Sequence, residues 1–572
     1  MKATKSALHI NVRYTWTAVL MVALGAAYAY WSPTGTYAAE AALLGGRVTI
    51  ASGQALAGIP IRAHRENSNI TVSVYTNSRG EYTYPEWSDL APGSYSVAIE
   101  LPDFEPVKRE AVTLSAGKAA RLDFALQPRQ PSLSEATAAE IAMALPGTDE
   151  QRFLLTQCSN CHSLQWALRN PHTKEEWGQI ITRMAGERSP ISLSIGSSYF
   201  GNERYREPFA DYLASVRGPG SSNQIPFQLR PRPTSEASTR LVVTEYDLPR
   251  GGSRELYMLR GDRRFVWAHD VIMDAKYAYY TDHYSSVLGR LDKKTGEVKE
   301  FAYPQAPRRP VPAGQERAGF VEQPPGGTRD LCFDPKGNIV LAGLRFDPRT
   351  EQFTPWPPGV GLVGIDPAGK VWSLRRESGT LQMVDPKSGE DKTYQIPPIP
   401  PNAQLYDSWV DSQGRSVLML WGEGKVGVFD PKTEKYTAYP VPTPRSGPRR
   451  GDVDAKDRSW FSLYWGGRLG MFDPNKGELK EFPLIPDTKS FGPPFVAPYT
   501  AAADDKYQLV WASDFNSSRI FRFDMKTERS TEFFMPLPYE VRDLTVEKSA
   551  DRPTLWIPAY RPPSKMVKVQ VY

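Results

Sequence analysis

Phe472-Asp-Pro-Asn-Lys-Gly-Glu-Leu-Lys-Glu-Phe482 decides the fold, because the chain says it again. It returns as Leu291-Asp-Lys-Lys-Thr-Gly-Glu-Val-Lys-Glu-Phe301, Phe429-Asp-Pro-Lys-Thr-Glu-Lys-Tyr436 and Phe523-Asp-Met-Lys-Thr-Glu-Arg529. Val384-Asp-Pro-Lys-Ser-Gly-Glu390 and Phe346-Asp-Pro-Arg-Thr-Glu351 are weaker copies. Each is a strand end, an aspartate-led turn and the start of a strand. Between copies lie a strand ending in aspartate and a strand rich in tryptophan or tyrosine. The period of about 40 residues is that of a four-stranded propeller blade. Six such units run from around His269 to around Tyr499, and a half-unit, Val541 to Tyr572, lacks its outer strand. The strand Arg240 to Leu248 precedes the first unit and can supply it. The expectation for residues 240–572 is a seven-bladed β-propeller, closed so that no sheet edge is exposed.

Working outward toward the N-terminus, residues 220–239, rich in proline, serine and arginine, read as a linker. Residues 132–219 are helical in pattern. Ser134 to Ala144 is alanine-rich, and Glu150 to Thr156 leads into Cys158-Ser-Asn-Cys161-His162. Thr173-Lys-Glu-Glu176 is a capping box that opens a helix over Glu175 to Ala185. Arg204 to Val216 carries apolar residues at helical spacing. Residues 43–128 show short strands: Gly46-Arg-Val-Thr-Ile50, Ile59-Pro-Ile-Arg-Ala63, Tyr82-Thr-Tyr84, Tyr95-Ser-Val-Ala-Ile99, Ala111-Val-Thr-Leu114 and Arg121-Leu-Asp-Phe-Ala125. Glycine turns separate them, as in a sandwich. Residues 1–39 read as a signal peptide. Lys2, Lys5 and Arg13 precede the apolar run Thr17 to Ala29, with small-x-Ala cleavage sites at Ala29 and Ala38. An uncleaved anchor is the alternative. The whole predicts a multidomain, mainly β protein: an Ig-like β-sandwich, a small all-α domain and a propeller.

Composition narrows the function. Hydrophobic content of 40% and charged content of 23% are those of globular protein, and the net charge of +5 is scattered. No basic run is interleaved with aromatics, so a nucleic-acid partner is not expected. With 3 cysteines in 572 residues a disulfide scaffold is excluded. Cys332, in Asp330-Leu-Cys-Phe-Asp334, reads as a buried small apolar residue.

The other two cysteines carry chemistry. Thioether attachment needs two thiols that reach the two vinyl groups on one porphyrin edge, with a histidine next to the second. Cys158, Cys161 and His162 have that spacing and predict one covalent haem c, with His162 on the iron. A zinc half-site or a redox dithiol would use the same thiols; zinc would need further ligands, and only His172 is near. Haem attachment also requires export, which the signal segment supplies.

Three resemblances follow. Residues 43–128 resemble the carboxypeptidase-regulatory-like, Ig-type domain, which implies a spacer or adhesion module and no chemistry. The stretch around Cys158 resembles a monohaem cytochrome c domain of the type "Cys-x-x-Cys-His-Ser-Leu … Trp … Met". That resemblance implies Met184 as the distal iron ligand; Met143 and His172 are the other candidates. Trp166 and Trp177 then read as haem-packing aromatics. Residues 240–572 look like the streptogramin B (virginiamycin B) lyase propellers, on phrases such as Tyr279-Tyr-Thr-Asp282 and Leu288-Gly-Arg-Leu291. That family opens a cyclic ester by magnesium-assisted elimination. His269 matches one of its histidine positions. His283 stands where the family has a glutamate, and Arg542 where a second histidine is expected.

Counting five residues back from the aspartate or glutamate that ends each inner strand gives His269, Arg329, Gly361, Tyr406, Arg449, Tyr499 and Arg542. The next residues are Asp270, Asp330, Leu362, Asp407, Arg450, Thr500 and Asp543. One ring is basic and aromatic and the other mostly acidic. They read either as a pocket for an anionic or aromatic ligand, or as a ring that satisfies itself. His269 and His283, beside Asp270 and Asp282, are candidate catalytic bases.

The expected function is that of an exported, periplasmic c-type cytochrome. Its propeller would hold a small-molecule substrate or a redox partner, another cytochrome or a dehydrogenase, with oxidoreductase activity left open. No stable membrane insertion is expected once the signal is cleaved. The alternatives are a streptogramin-type carbon–oxygen lyase with an accessory cytochrome, and a non-enzymatic binding or scaffold protein.

Overall fold

Aspartate sets the first and the third turn of the repeated four-stranded units. In the computed structural model, Asp292 Oδ1 accepts from the amides of Lys294 and Thr295, both at 2.9 Å. Asp524 does the same with Lys526 and Thr527 at 2.8 and 2.9 Å. This local closure makes the repeated phrase a turn regardless of its surroundings. The residue four after the aspartate must be left-handed. Gly296, Gly389 and Gly477 take that place at φ 78°, 77° and 66°, and Glu351, Glu434 and Glu528 at 58°, 54° and 53°. A second aspartate ends the inner strand. Asp366 and Asp454 accept from the amides two and four residues on, and also from the indoles of Trp372 at 3.0 Å and Trp460 at 2.9 Å. The tryptophan-rich second strand is thereby tied to the first.

The structure describes residues 44–572 except 89, 161–162, 186–202, 223–224, 251–265, 283–284, 286, 305–330, 342, 356–361, 376–379, 397–404 and 561–563. The signal segment, Cys161, His162, His283, Arg329, Asp330 and Gly361 lie outside the described residues. Among the described residues no helix is long and apolar enough to cross a membrane.

Among the described residues, seven four-stranded antiparallel units follow one another in a propeller-like series. Blades 1 to 6 cover residues 268–302, 332–355, 362–395, 405–440, 448–483 and 498–534. Blade 7 is Thr545–Val546, Thr554–Pro558 and Lys565–Val571, with Leu241–Asp247 as its outer strand. The strand that precedes blade 1 thus pairs with the last strand of the chain, Val243 facing Val569. Cys332 is half-buried in blade 2, against Val340 and Val371, rather than fully buried.

Blade 7 does not end at its outer strand. Ile70–Tyr75, a strand missing from the sequence-based reading, pairs antiparallel with Leu241–Asp247, Val72 facing Thr244. One eight-stranded sheet therefore runs from the propeller into the N-terminal sandwich through Pro60–Arg65, Gly93–Ile99 and Val107–Leu114. The sandwich's other layer is Leu44–Ile50 with Glu81–Thr83, Ala120–Arg121 and Phe124–Leu126. At the join, Glu245 is fully buried. Arg62 binds it at 3.1 Å, Lys565 lies 3.7 Å away, and the Tyr539 hydroxyl donates to it.

Between sandwich and propeller stand α1 (Ala138–Ala144), α2 (Asp149–Thr156), α3 (Leu164–Ala167), α4 (Lys174–Ala185) and α5 (Glu203–Arg217). Two capping boxes set α1 and α4: Thr137 with Glu140, and Thr173 with Glu176. The stretch read as a linker is pinned at several points. Arg232 holds Asp103 through two bonds of 2.9 and 2.7 Å, and Arg230 pairs with Glu532 of blade 6. Buried Arg519 donates to the carbonyls of Arg230 and Pro231 at 3.1 and 2.9 Å.

Candidate functional site

Four inner strands break register at the same place. The interruptions fall between Ala268 and Val271, Leu405 and Ser408, Pro448 and Gly451, and Pro498 and Ala501. The residues inside them are His269-Asp270, Tyr406-Asp407, Arg449-Arg450 and Tyr499-Thr500. A bulge adds a residue and re-aims its side chains. Two consecutive residues per blade can then both reach the channel, where a regular strand would send one away.

The second residues of three of these pairs meet in a charge network. Arg450 reaches Asp270 at 2.7 Å, Asp407 at 3.4 Å and Asp543 at 3.4 Å, so one guanidinium joins blades 5, 1, 4 and 7. Among the described residues, three carboxylates share that one cation.

The first residues build an aromatic layer beside it. Tyr406 and Tyr499 meet through their hydroxyls at 2.8 Å, and Arg449 donates to the Tyr406 hydroxyl at 2.9 Å. The Arg449 guanidinium lies 3.7 Å from the centre of the Tyr499 ring, 4.3 Å from Tyr464 and 4.7 Å from Trp421. Arg542 is 3.6 Å over Tyr560 and pairs with Glu540. His269 is buried among them, with Nδ1 at 2.7 Å from Asp270 Oδ2 and its ring edge-on to Tyr560 and Tyr499. Burial pushes the Tyr464 phenol well up, against the pull of Arg449, so it keeps its proton. His269, Tyr406, Arg449, Tyr499 and Arg542 are thus brought together as the counting predicted. Trp421, Tyr464 and Tyr560 were missed. They sit in turns between second and third strands, and the available signal was the aromatic–glycine phrases Trp421-Gly-Glu-Gly424 and Tyr464-Trp-Gly-Gly467.

Helix α2 lies on this mouth. Phe153 packs edge-on to Tyr464 at 6.4 Å and to Phe491 at 5.2 Å between ring centres. Arg152 stacks on Phe495 at 5.3 Å, and Glu150 pairs with Arg445 at 2.8 Å. Cys158 follows α2 in the short helical turn Gln157–Asn160 and is half-buried against the apolar cluster that holds Phe153, Leu164, Trp177 and Tyr464. The sequence spacing of the two thiols and the imidazole suits a covalent haem, and Cys158 stands beside an apolar cluster. Met143 packs on the same cluster. His172 is half-buried, 3.6 Å from Glu176 and edge-on to Trp177. Trp177 donates to the Arg217 carbonyl at 3.1 Å, and Trp166 is covered by Arg169 at 3.8 Å. Met184 lies on α4, and its side chain is outside the described residues.

Residues 44–127 match the carboxypeptidase regulatory-like domain family, and this part of the chain is such a domain. No protein of curated function matches the chain in sequence. The chain is similar to a streptogramin B lyase structure, at 18% identity over 59% of this chain and 100% of that one, TM-score 0.45. It is also similar to virginiamycin B lyase from Staphylococcus aureus, at 16% identity over 54% and 96%, TM-score 0.42. A catalytically inactive histidine-to-alanine variant of the S. aureus virginiamycin B lyase, with quinupristin, gives 14% over 58% and 100%, TM-score 0.44. The propeller-like arrangement rests on this chain's own strand order and channel contacts.

Proposed function

We propose that the chain is an exported, periplasmic c-type cytochrome that exchanges electrons with a partner bound at its channel mouth. Cys158 and Cys161 would hold one haem c, His162 would be its proximal ligand and Met184 its distal one. The observation that carries the reading is the Cys158-Ser-Asn-Cys161-His162 phrase, which follows a helix lying on that mouth. When bound, the haem supplies one-electron chemistry between ferric and ferrous iron. The chain's own residues do the rest. The cluster around Phe153 and Tyr464 keeps water from the contact between helix and blade. The Asp270 carboxylate, 2.7 Å from His269 Nδ1, fixes the orientation of the imidazole within the aromatic layer. The partner is a small molecule at the mouth, or a cytochrome or dehydrogenase on the same face.

The reduced-minus-oxidised spectrum of the exported protein, with haem staining after denaturation, tests this. One haem that survives denaturation, and is lost in Cys158→Ser/Cys161→Ser, is expected. A protein without covalent haem would end the proposal.

The His269–Asp270 contact also favours a second reading, a lyase in which His269 removes a proton from a cyclic ester. Against it, Asp270 also binds Arg450, and Arg542 stands at the second histidine position. On this reading His269→Ala abolishes a magnesium-dependent elimination and leaves the haem spectrum unchanged.

A further inference from the structure

Arg449 differs from Arg450 and Arg542. It is 3% exposed. Arg450 has three carboxylates and Arg542 has Glu540. Among the described residues Arg449 has no carboxylate at ion-pair distance, and its Nε makes no hydrogen bond. Rings cover its faces and the Tyr406 hydroxyl takes one of its amino groups. Burying a charge without a counter-charge is costly, and a buried donor left unmatched adds to that cost. The Tyr464 hydroxyl, buried against the same guanidinium, also finds no well-directed hydrogen-bond partner among the described residues. Two unmatched donors from one blade end therefore lie side by side in an aromatic setting.

We propose that Arg449 Nε and the Tyr464 hydroxyl hold the carboxylate of a small monocarboxylate ligand at the channel mouth. A carboxylate offers two oxygens to two donors and supplies the missing negative charge. Its apolar part lies among the rings of Tyr499, Phe515 and Phe153, which form one cluster. The neighbouring residue selects for a single charge. Arg450 gathers three carboxylates one residue along the strand, and their negative charge disfavours a dianion such as phosphate. This names the ligand class of the channel mouth proposed above and does not depend on the haem.

The test is titration of the full-length protein with benzoate, acetate, benzyl alcohol and phosphate, read by calorimetry and by the fluorescence of the tryptophans near the mouth. Benzoate should bind saturably, acetate more weakly, and phosphate and benzyl alcohol not at all. Tyr464→Phe, which removes only the hydroxyl, should weaken benzoate binding about tenfold. Arg449→Gln should abolish it. The proposal is overturned if benzoate does not bind, if benzyl alcohol or phosphate binds as tightly, or if Tyr464→Phe binds unchanged. A protein without covalent haem that binds benzoate would end the electron-transfer reading alone. Haem-bearing protein that ignores benzoate would end this one alone.

Discussion

Asp514 and Arg450 show what single residues do here. Asp514 ends the second strand of blade 6, fully buried, and accepts from the amides of Ala497 and Asn516, both at 3.0 Å, and from the Ser517 hydroxyl. Burial raises its carboxyl above the usual range despite these bonds. The folded chain then keeps a proton that the unfolded chain gives up. This group's contribution is therefore full below the ordinary aspartate value of about 3.9 and is lost as pH rises through the folded value. Asp514→Asn should match the wild type in thermal unfolding near pH 4 and unfold at a higher temperature at pH 8. Arg450 is the opposite case. Arg450→Met takes the shared cation from three buried carboxylates and should cost about 3–5 kcal/mol in urea unfolding at neutral pH. These positions were legible by counting back from the turn aspartates, because those aspartates lock the register of each blade. Which of the two arginines would be neutralised was not legible, since Asp270 and Asp543 are far from Arg450 in the chain.

At the scale of the element, the repeated turns were readable because their hydrogen bonds are local. The left-handed position tells the same story in energy. Glu528 holds φ 53° where three copies have glycine, and no ion pair fixes its side chain among the described residues. Glu528→Gly should stabilise the chain by about 1 kcal/mol, seen as a raised unfolding midpoint. The strand Ile70–Tyr75 was not read, although Ile-Thr-Val-Ser-Val-Tyr alternates. The bulges that aim His269-Asp270 and Arg449-Arg450 left no sequence mark, since each depends on the neighbouring strand.

At the scale of the whole molecule, the missed strand matters most. It makes the sandwich the continuation of blade 7, so the closure expected to hide every edge is completed by a second domain. A chain lacking residues 44–128 should expose the outer edge of Leu241–Asp247 and leave Glu245 without Arg62. It should self-associate in light scattering while the full chain stays monodisperse under the same conditions.

The amino-acid sequence by itself determined the repeat, its turns, the ring positions and the Cys158-Ser-Asn-Cys161-His162 phrase. All of these are set by residues a few places apart, through local hydrogen bonds and strand alternation. Only the tertiary structure decided that Ile70–Tyr75 joins blade 7, that Phe153 packs on Tyr464, and that among the described residues Arg450 is matched by carboxylates while Arg449 is not. Those outcomes join residues far apart in the chain, and local pattern carries no record of which distant partner will arrive.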